Sequence, residues 1–254
     1  MKPIICVKIG GKPAEDNILV KSLLLEICDL SGDYQFFLVH GGGKEISRIS
    51  RMFGHEPQFK DGIRITSEQE MEIVEMTLSG KVNKALVRLA IQCGLKAAGF
   101  SGCDSGLLQA EALSSDTSTG KITKTGPGLI NDLFEKNYFP VISPIASGPR
   151  GEALNINADE AALELSAALK AEALIYVSDI SGVIIGGSQI AELHYDDCQN
   201  AIQSGEVHGG MVPKANSSFS GLRRGIRRVV IGDYSSAGDL AALLEKRKGT
   251  TLLI

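Results

Sequence analysis

Three cations and one carboxylate stand where local rules would not put them. Lys8 interrupts the apolar run Ile4-Ile5-Cys6-Val7-Lys8-Ile9 just before Gly10-Gly11. Lys214 follows Gly209-Gly210-Met211-Val212-Pro213. A proline suits the first helical position, so the lysine is expected in a first helical turn, where the dipole disfavours a cation. Arg64 lies ahead of a glutamate-rich stretch, and Asp159 opens a strong helical pattern after Asn155-Ile156-Asn157. Three of them also have an ordinary reading. Lys8 could alternate outward, Asp159 could cap its helix, and Arg64 could pair with Glu68 or Glu70. Taken as chemistry, the set suits an anionic ligand. Lysines answer a phosphoryl group, and a planar guanidinium can bond both oxygens of a carboxylate.

The backbone around them points the same way. Two apolar runs end in glycine turns, Gly10-Gly11 and Gly41-Gly42-Gly43, and each turn leads into a helical pattern. Glycine lets backbone N–H groups approach a ligand closely, and a helix N-terminus adds partial positive charge. Other phosphate and hydrolase signatures are missing. There is no G-x-x-x-x-G-K-[ST], no G-x-G-x-x-G after a strand and no H-E-x-x-H, and Gly99-Phe100-Ser101-Gly102-Cys103 lacks the last glycine of a nucleophile elbow.

The elements that must carry these residues alternate. Strands are expected at Ile4–Ile9, Phe36–Val39, Ala97–Phe100, Pro140–Ile145, Leu174–Val177 and Val229–Ile231. Helical spacing marks Glu15–Leu30, the stretch holding Ile46, Ile49 and Phe53, Glu68–Leu78, Lys84–Cys93, Ala158–Leu169, Asp196–Gln203 and Lys214–Leu222. Continuous apolar strands separated by helices predict an α/β fold with a mainly parallel sheet covered on both faces. In such a sheet, ligands bind beyond the carboxyl ends of the strands. Ala110–Thr125, rich in Ser and Thr, reads as a hairpin or mobile loop. Turn residues at Gly148-Pro149-Arg150-Gly151 suggest two lobes, 1–150 and 151–254.

Composition narrows the classes. The chain has 254 residues, 43% apolar and 22% charged, which is ordinary for a globular protein. A net charge of −4 gives no support to a nucleic-acid partner. The basic run at Arg223-Arg224-Gly225-Ile226-Arg227-Arg228 is read as a solvated helix end. Five scattered cysteines (Cys6, Cys28, Cys93, Cys103, Cys198) show no metal-ligand spacing. Free thiols in a reducing, cytoplasmic setting are expected. No apolar run of ~18 residues suits a membrane span, and the first residues are too briefly apolar for a signal peptide.

Taken in order, KIGG (Lys8–Gly11), VHGGG (Val39–Gly43), DGIRIT (Asp61–Thr66), LSGKVNK (Leu78–Lys84), GFSGCD (Gly99–Asp104), NINADEAA (Asn155–Ala162), SDISGV (Ser178–Val183), GGMVPK (Gly209–Lys214) and a final GTTL (Gly249–Leu252) resemble the amino acid kinase family. Within it, DGIRIT, LSGKVNK, NINADEAA and GGMVPK resemble the branch that acts on N-acetylglutamate. The resemblance covers essentially the whole chain. It implies a three-layer αβα sandwich, with an N-terminal lobe for the acyl substrate and subunit contact and a C-terminal lobe for the nucleotide. By matching position it gives Lys8 and Lys214 the task of stabilising a transferring phosphoryl group, with Asp159 orienting both. Gly42, Gly43, Arg64 and Asn155 would hold N-acetylglutamate. Gly10, Gly11, the stretch Asp179, Ile180, Ser181, Gly182 and Val183, and the stretch Glu206, Val207, His208, Gly209 and Gly210 would hold ATP. Magnesium would be bound through the nucleotide's phosphates, with no protein metal site.

The implied reaction fits the residues, because a carboxylate is already ionised at neutral pH and needs no general base. Lys44 stands where many relatives have proline, and Lys121-Ile122-Thr123-Lys124 where relatives commonly show a V-G pair. The chain starts at its first strand, whereas arginine-inhibited relatives usually have an additional N-terminal helix that assembles hexamers. An arginine-insensitive homodimer is therefore expected. Competing readings are a kinase of the same fold for aspartate, glutamate, uridylate or carrier-bound aminoadipate, and a ligand-binding regulator without turnover.

Overall fold

The structure, a computed structural model, describes residues 2–60 and 63–254, so Asp61 and Gly62 of the DGIRIT segment lie outside the described residues. In chain order, β1 (Ile4–Ile9), α1 (Asn17–Leu30) and β2 (Gln35–His40) come first, then α2 (Gly43–Met52), β3 (Gln58–Lys60) and β4 (Ile63–Ile65). α3 (Glu68–Glu75), a π-helical turn (Met76–Val82) and α4 (Asn83–Gln92) form one uninterrupted helical run. β5 (Ala97–Ser101), β6 (Leu108–Ala112), β7 (Gly120–Thr125), α5 (Gly128–Glu135), β8 (Phe139–Ser143), β9 (Ile145–Ser147) and β10 (Ala153–Asn155) follow. Next come α6 (Ala158–Ala168), β11 (Ala173–Ser178), β12 (Ile184–Ile185), β13 (Ser188–Gln189) and β14 (Glu192–His194). The last are α7 (Tyr195–Gln203), α8 (Met211–Arg223), β15 (Val229–Asp233), α9 (Asp239–Leu244) and β16 (Thr250–Leu253).

The chain divides into two compact units. One joins the residues up to Phe37 with Ala162–Ile254, and the other is the continuous segment Leu38–Ala161. β2 and α6 each straddle a boundary.

In the first unit the main sheet runs β14-β16-β15-β11-β1. β1 and β11 are parallel, as are β11 and β15, and only β15 and β16 are antiparallel there. The pattern explains the strands. IICVKI and ALIYVS are continuous apolar runs, buried along nearly their whole length, as strands covered on both faces must be. In the second unit β2, β8 and β5 are parallel, and β10-β9-β6-β7 form a smaller mixed sheet. The segment at Ala110–Thr125 is a hairpin, with a bulge at Gln109/Ala110. With its helix-flanked, mostly parallel main sheet the fold is the expected α/β architecture.

One part of the second unit's core lies beneath the glycine turn. Ile46, Met71, Val74, Leu78 and Ile145 pack together there. These residues come from α2, α3, the π turn and β9, so any shift of the turn is resisted by side chains in four elements.

Candidate active site

The second unit holds a cleft of about 200 Å³ whose walls include Gly41, Gly42, Gly43, Arg64, Thr119 and Asn155. Its floor is the β2–α2 turn. A Cβ built on Gly42 would lie 2.7 Å from Leu78 Cδ2, whereas one on Gly43 meets nothing within 4 Å. Packing thus dictates Gly42, whereas space alone would admit a side chain at Gly43. Gly42 also occupies the N-cap position of α2 and caps it with no side chain. The first N–H groups of that helix are left for a ligand.

Arg64 reaches the cleft from β4. It is 7% exposed, with Nη1 donating to Glu70 Oε1 at 3.0 Å and Nη2 to the Gly43 carbonyl at 3.1 Å and Ser47 Oγ at 2.5 Å. Phe59, opposite it on β3, lays its ring 4.8 Å from the guanidinium carbon. Burial lowers the Arg64 pKa below the usual guanidinium value, and the Glu70 carboxylate opposes that shift. The ordinary reading of Arg64 and the functional one therefore coexist. Glu70 holds the guanidinium, and the guanidinium lines the cleft.

Asn155, 8% exposed, donates from Nδ2 to Thr66 Oγ1 at 2.9 Å. The seam around it is built from threonines that the sequence reading passed over. Thr119 Oγ1 donates to the Arg64 carbonyl at 2.7 Å and accepts from the Thr66 N–H at 3.0 Å. Thr119 thus ties the backbone of the arginine strand to the cleft wall. Nothing in a Ser/Thr-rich stretch distinguishes such a residue from a solvated loop.

Asn157 accepts from the Asp159 N–H through Oδ1 at 2.8 Å, so the cap of α6 is Asn157 and not Asp159. Asp159 is left in the first turn of that helix, half-buried. Glu160 beside it accepts from the Ile122 N–H at 2.8 Å and anchors the β6–β7 hairpin.

In the first unit, Lys214 lies over the Tyr176 ring and Lys8 is that residue's strand neighbour. Lys8 is the register partner of Tyr176 across the parallel β1–β11 pair, so the two side chains share a face of the sheet. Lys214 Nζ lies 4.9 Å from the Tyr176 ring centroid. A methyl at Gly10 would overlap Lys8 Nζ and push that ammonium aside. Gly11 has φ 63°, the left-handed region, which explains the second glycine of that turn. Tyr176, buried at 1%, looked like core in the sequence. α8 begins at Met211, earlier than expected, so Pro213 is its third residue and Lys214 its fourth. Pro213 still lies where no intrahelical donor is lost.

The two nucleotide-type stretches separate into packing and exposed parts. Gly182, Val183 and Val207 are buried, while Asp179, Ile180, Ser181, Glu206, His208, Gly209 and Gly210 are exposed. Thr250 Oγ1 accepts from the Val183 N–H at 2.8 Å, and Gln189 Nε2 donates to the Ser181 carbonyl at 3.1 Å. Glu206 accepts from the Gly186 N–H, holding the β12–β13 turn. The Gly210 end of α8 has no side-chain cap, again leaving backbone donors open to an anion.

The model of the amino acid kinase family matches residues 3–233. The chain belongs to the amino acid kinase family. Among its relatives, this family member is 38% identical to an acetylglutamate kinase of Bacillus velezensis, over 91% of this chain and 90% of that one. It is 37% identical to an acetylglutamate kinase of Campylobacter hominis, over 90% of this chain and 82% of that one. A crystal structure of smu.665 from Streptococcus mutans superposes with TM-score 0.80 at 25% identity, covering 100% of this chain and 99% of that one.

Proposed function

We propose that this family member transfers the γ-phosphoryl group of ATP to the side-chain carboxylate of N-acetyl-L-glutamate, giving an acyl phosphate for arginine biosynthesis. The observation that carries this reading is the cleft of about 200 Å³ where the Gly41–Gly43 turn, Arg64 and Asn155 converge. Acetylglutamate kinases at 36–40% identity support the choice of substrate.

In this reading the substrate lies in the Leu38–Ala161 unit. Arg64 takes one carboxylate with the guanidinium N–H groups that Glu70, Gly43 and Ser47 leave over, and Asn155 orients the acyl part. Gly42 and Gly43 present N–H groups at the start of α2. The attacking carboxylate oxygen is ionised at neutral pH, so no proton is removed. A bond forms from that oxygen to the γ-phosphorus while the bond to the β,γ-bridging oxygen breaks, and ADP leaves. Lys8 and Lys214 stabilise charge on the transferring group, and Asp159 has the orienting role that the resemblance gives it. Gly10 and Gly11 meet the nucleotide's phosphates, and Asp179–Val183 and Glu206–Gly210 supply its remaining contacts.

Among the described residues no group of three or more His, Cys, Asp or Glu is placed to hold a metal. Magnesium would be carried on the nucleotide's phosphate oxygens, where it would neutralise their charge. No helix among the described residues is long and apolar enough to cross a membrane. A cytoplasmic homodimer is the assembly and setting that go with this reading, and sedimentation equilibrium tests the first.

The activity is tested by ATP consumption with magnesium, comparing N-acetylglutamate with glutamate, aspartate, aminoadipate and uridylate, with hydroxylamine present to trap acyl phosphate. Trapped turnover with N-acetylglutamate alone is expected. Turnover only with another acceptor overturns the substrate, and nucleotide binding without turnover overturns catalysis.

A further inference from the structure

Behind the glycine turn sits a buried polar pair that the cleft itself does not require. His40 closes β2 and is 1% exposed, and Asn83, at the start of α4, is 0% exposed. His40 Nδ1 lies 2.8 Å from the Gly41 carbonyl oxygen, and Nε2 lies 3.2 Å from Asn83 Nδ2. The same amide nitrogen lies 2.9 Å from the Val141 carbonyl and 3.3 Å from that of Phe100. Asn83 Oδ1 accepts from Lys84 Nζ at 3.1 Å, and Lys84 Nζ also donates to the Gly99 carbonyl at 2.7 Å.

These contacts fix protons. The carbonyls of Val141 and Phe100 can only accept, so the atom facing them must be the amide nitrogen. That nitrogen offers no acceptor, so a protonated Nε2 would find no partner there; Nε2 is the bare nitrogen and shares the amide's two hydrogens with the Val141 and Phe100 carbonyls. The neutral ring then carries its proton on Nδ1 and donates it to Gly41. The amide oxygen is held by Lys84 Nζ and fills the space that a side chain at Gly99 would take.

We propose that His40, held in its Nδ1–H form by Asn83, is a positioning residue that sets the Gly41–Gly42 peptide so that the Gly42 N–H faces the acyl substrate. A trans peptide points its C=O and the following N–H in opposite directions. With the Gly41 carbonyl turned to the imidazole, the Gly42 N–H is turned away from it. Three consecutive glycines have little intrinsic preference between the two faces, and a Cβ at Gly41 would meet nothing nearer than the Ala158 methyl at 3.9 Å. The histidine supplies what glycine lacks, a fixed orientation. Desolvation by burial lowers the His40 pKa to about 4, with the Gly41 carbonyl opposing and the Lys84 charge adding to the shift. The ring therefore stays neutral, and its Nδ1–H bond persists, at every pH where such an enzyme would work.

The proposal rests on the acyl-site reading above, and its test separates the two. His40→Asn keeps a donor near the Nδ1 position and loses the Asn83 contact. His40→Gln keeps the reach to Asn83 and loses the Gly41 bond. KM for N-acetylglutamate is expected to rise less than about threefold in His40→Asn and about tenfold or more in His40→Gln, the factor that one hydrogen bond sets. KM for ATP should be unchanged in both. Equal KM for N-acetylglutamate in the two variants, or an equal rise in KM for ATP, overturns the proposal. Wild-type protein without N-acetylglutamate turnover would sink the acyl-site reading instead. Should neither variant fold, nitrogen-15 spectra of the wild-type imidazole decide. A protonated Nδ1 and bare Nε2 from pH 5 to 9 are expected, and the opposite tautomer, or a titration midpoint above pH 5, overturns it.

Discussion

Arg64 shows how one side chain is bound by two constraints. Its charge is buried against Glu70, whose Oε1 also accepts from Ser50 Oγ at 3.1 Å. Arg64→Ala would leave the glutamate buried and unpaired, at about 3–5 kcal/mol of stability. Replacing both partners with leucine should recover most of that loss in urea denaturation while substrate binding stays lost. If the double variant binds N-acetylglutamate like wild type, Arg64 is structural only. Tyr176 invites a different substitution pair. Tyr176→Phe keeps a ring under Lys214 and should keep kcat, whereas Tyr176→Leu should lose about two- to thirtyfold in kcat, the range of a cation–π contact. Lys214→Ala should cost on the order of 10²-fold or more in kcat with the fold intact; near-normal turnover would remove Lys214 from the chemistry.

Among the elements, the π turn at Met76–Val82 was the least legible in advance. Apolar periodicity marks Glu68–Leu78 and Lys84–Cys93 as separate helices, because a π segment shifts the phase of the apolar face between them. The inserted phase is what brings Leu78 both to the core and against Gly42. Two glycines near this junction should respond oppositely to alanine. Gly80 is exposed and a Cβ there meets nothing within 4 Å, so Gly80→Ala should gain about 0.4–1 kcal/mol by stiffening the unfolded chain. Gly42→Ala must displace Leu78, and should lower the thermal midpoint and raise KM for the acyl substrate together. Equal effects at the two sites would mean that the turn is not packed as described. Strands β1, β2 and β11 were legible because continuous burial demands continuous apolar residues. The short β12, β13 and β14 were not, since two or three residues carry no periodicity. Thr119 and Tyr176 escaped notice for the same kind of reason: a threonine in a polar stretch and a tyrosine in an apolar strand each match their surroundings.

At the level of the whole molecule, the buried imidazole makes stability depend on pH. His40 has a folded pKa of about 4, below the ~6.5 of an unfolded histidine. Between those values the unfolded chain binds more protons, so stability is full above about pH 6.5 and is lost as pH falls toward 4. Glu45 is held at about 2, chiefly by bonds from Arg48 and Lys81. At Asp239, also about 2, burial raises the pKa and is outweighed by Lys248 and the Ser235 and Ser236 backbone. Their contributions are present above about pH 4 and lost as pH falls toward 2. Unfolding free energy should therefore fall by about 2 kcal/mol between pH 7 and pH 5 from His40 alone, and His40→Asn should abolish that part. An equal fall in the variant would assign it to other groups. The main sheet and the glycine turns could be read from residue pattern, because burial and backbone approach restrict residue type locally. The division into units could not, because a contiguous stretch of sequence does not reveal which distant stretch completes it.

That division has a consequence for how the chain is made. β1 finds its neighbour β11 only after the whole of Leu38–Ala161 has emerged, about 160 residues later. At ribosomal speeds of ~5–20 residues per second, the run IICVKI waits roughly 10–30 s for its β11 partner. During that interval the middle segment can complete its own core while β1 still lacks its β11 partner. The newborn chain is thus exposed to chaperones, and to its own neighbours on the same messenger, along the edge of β1 that β11 will take.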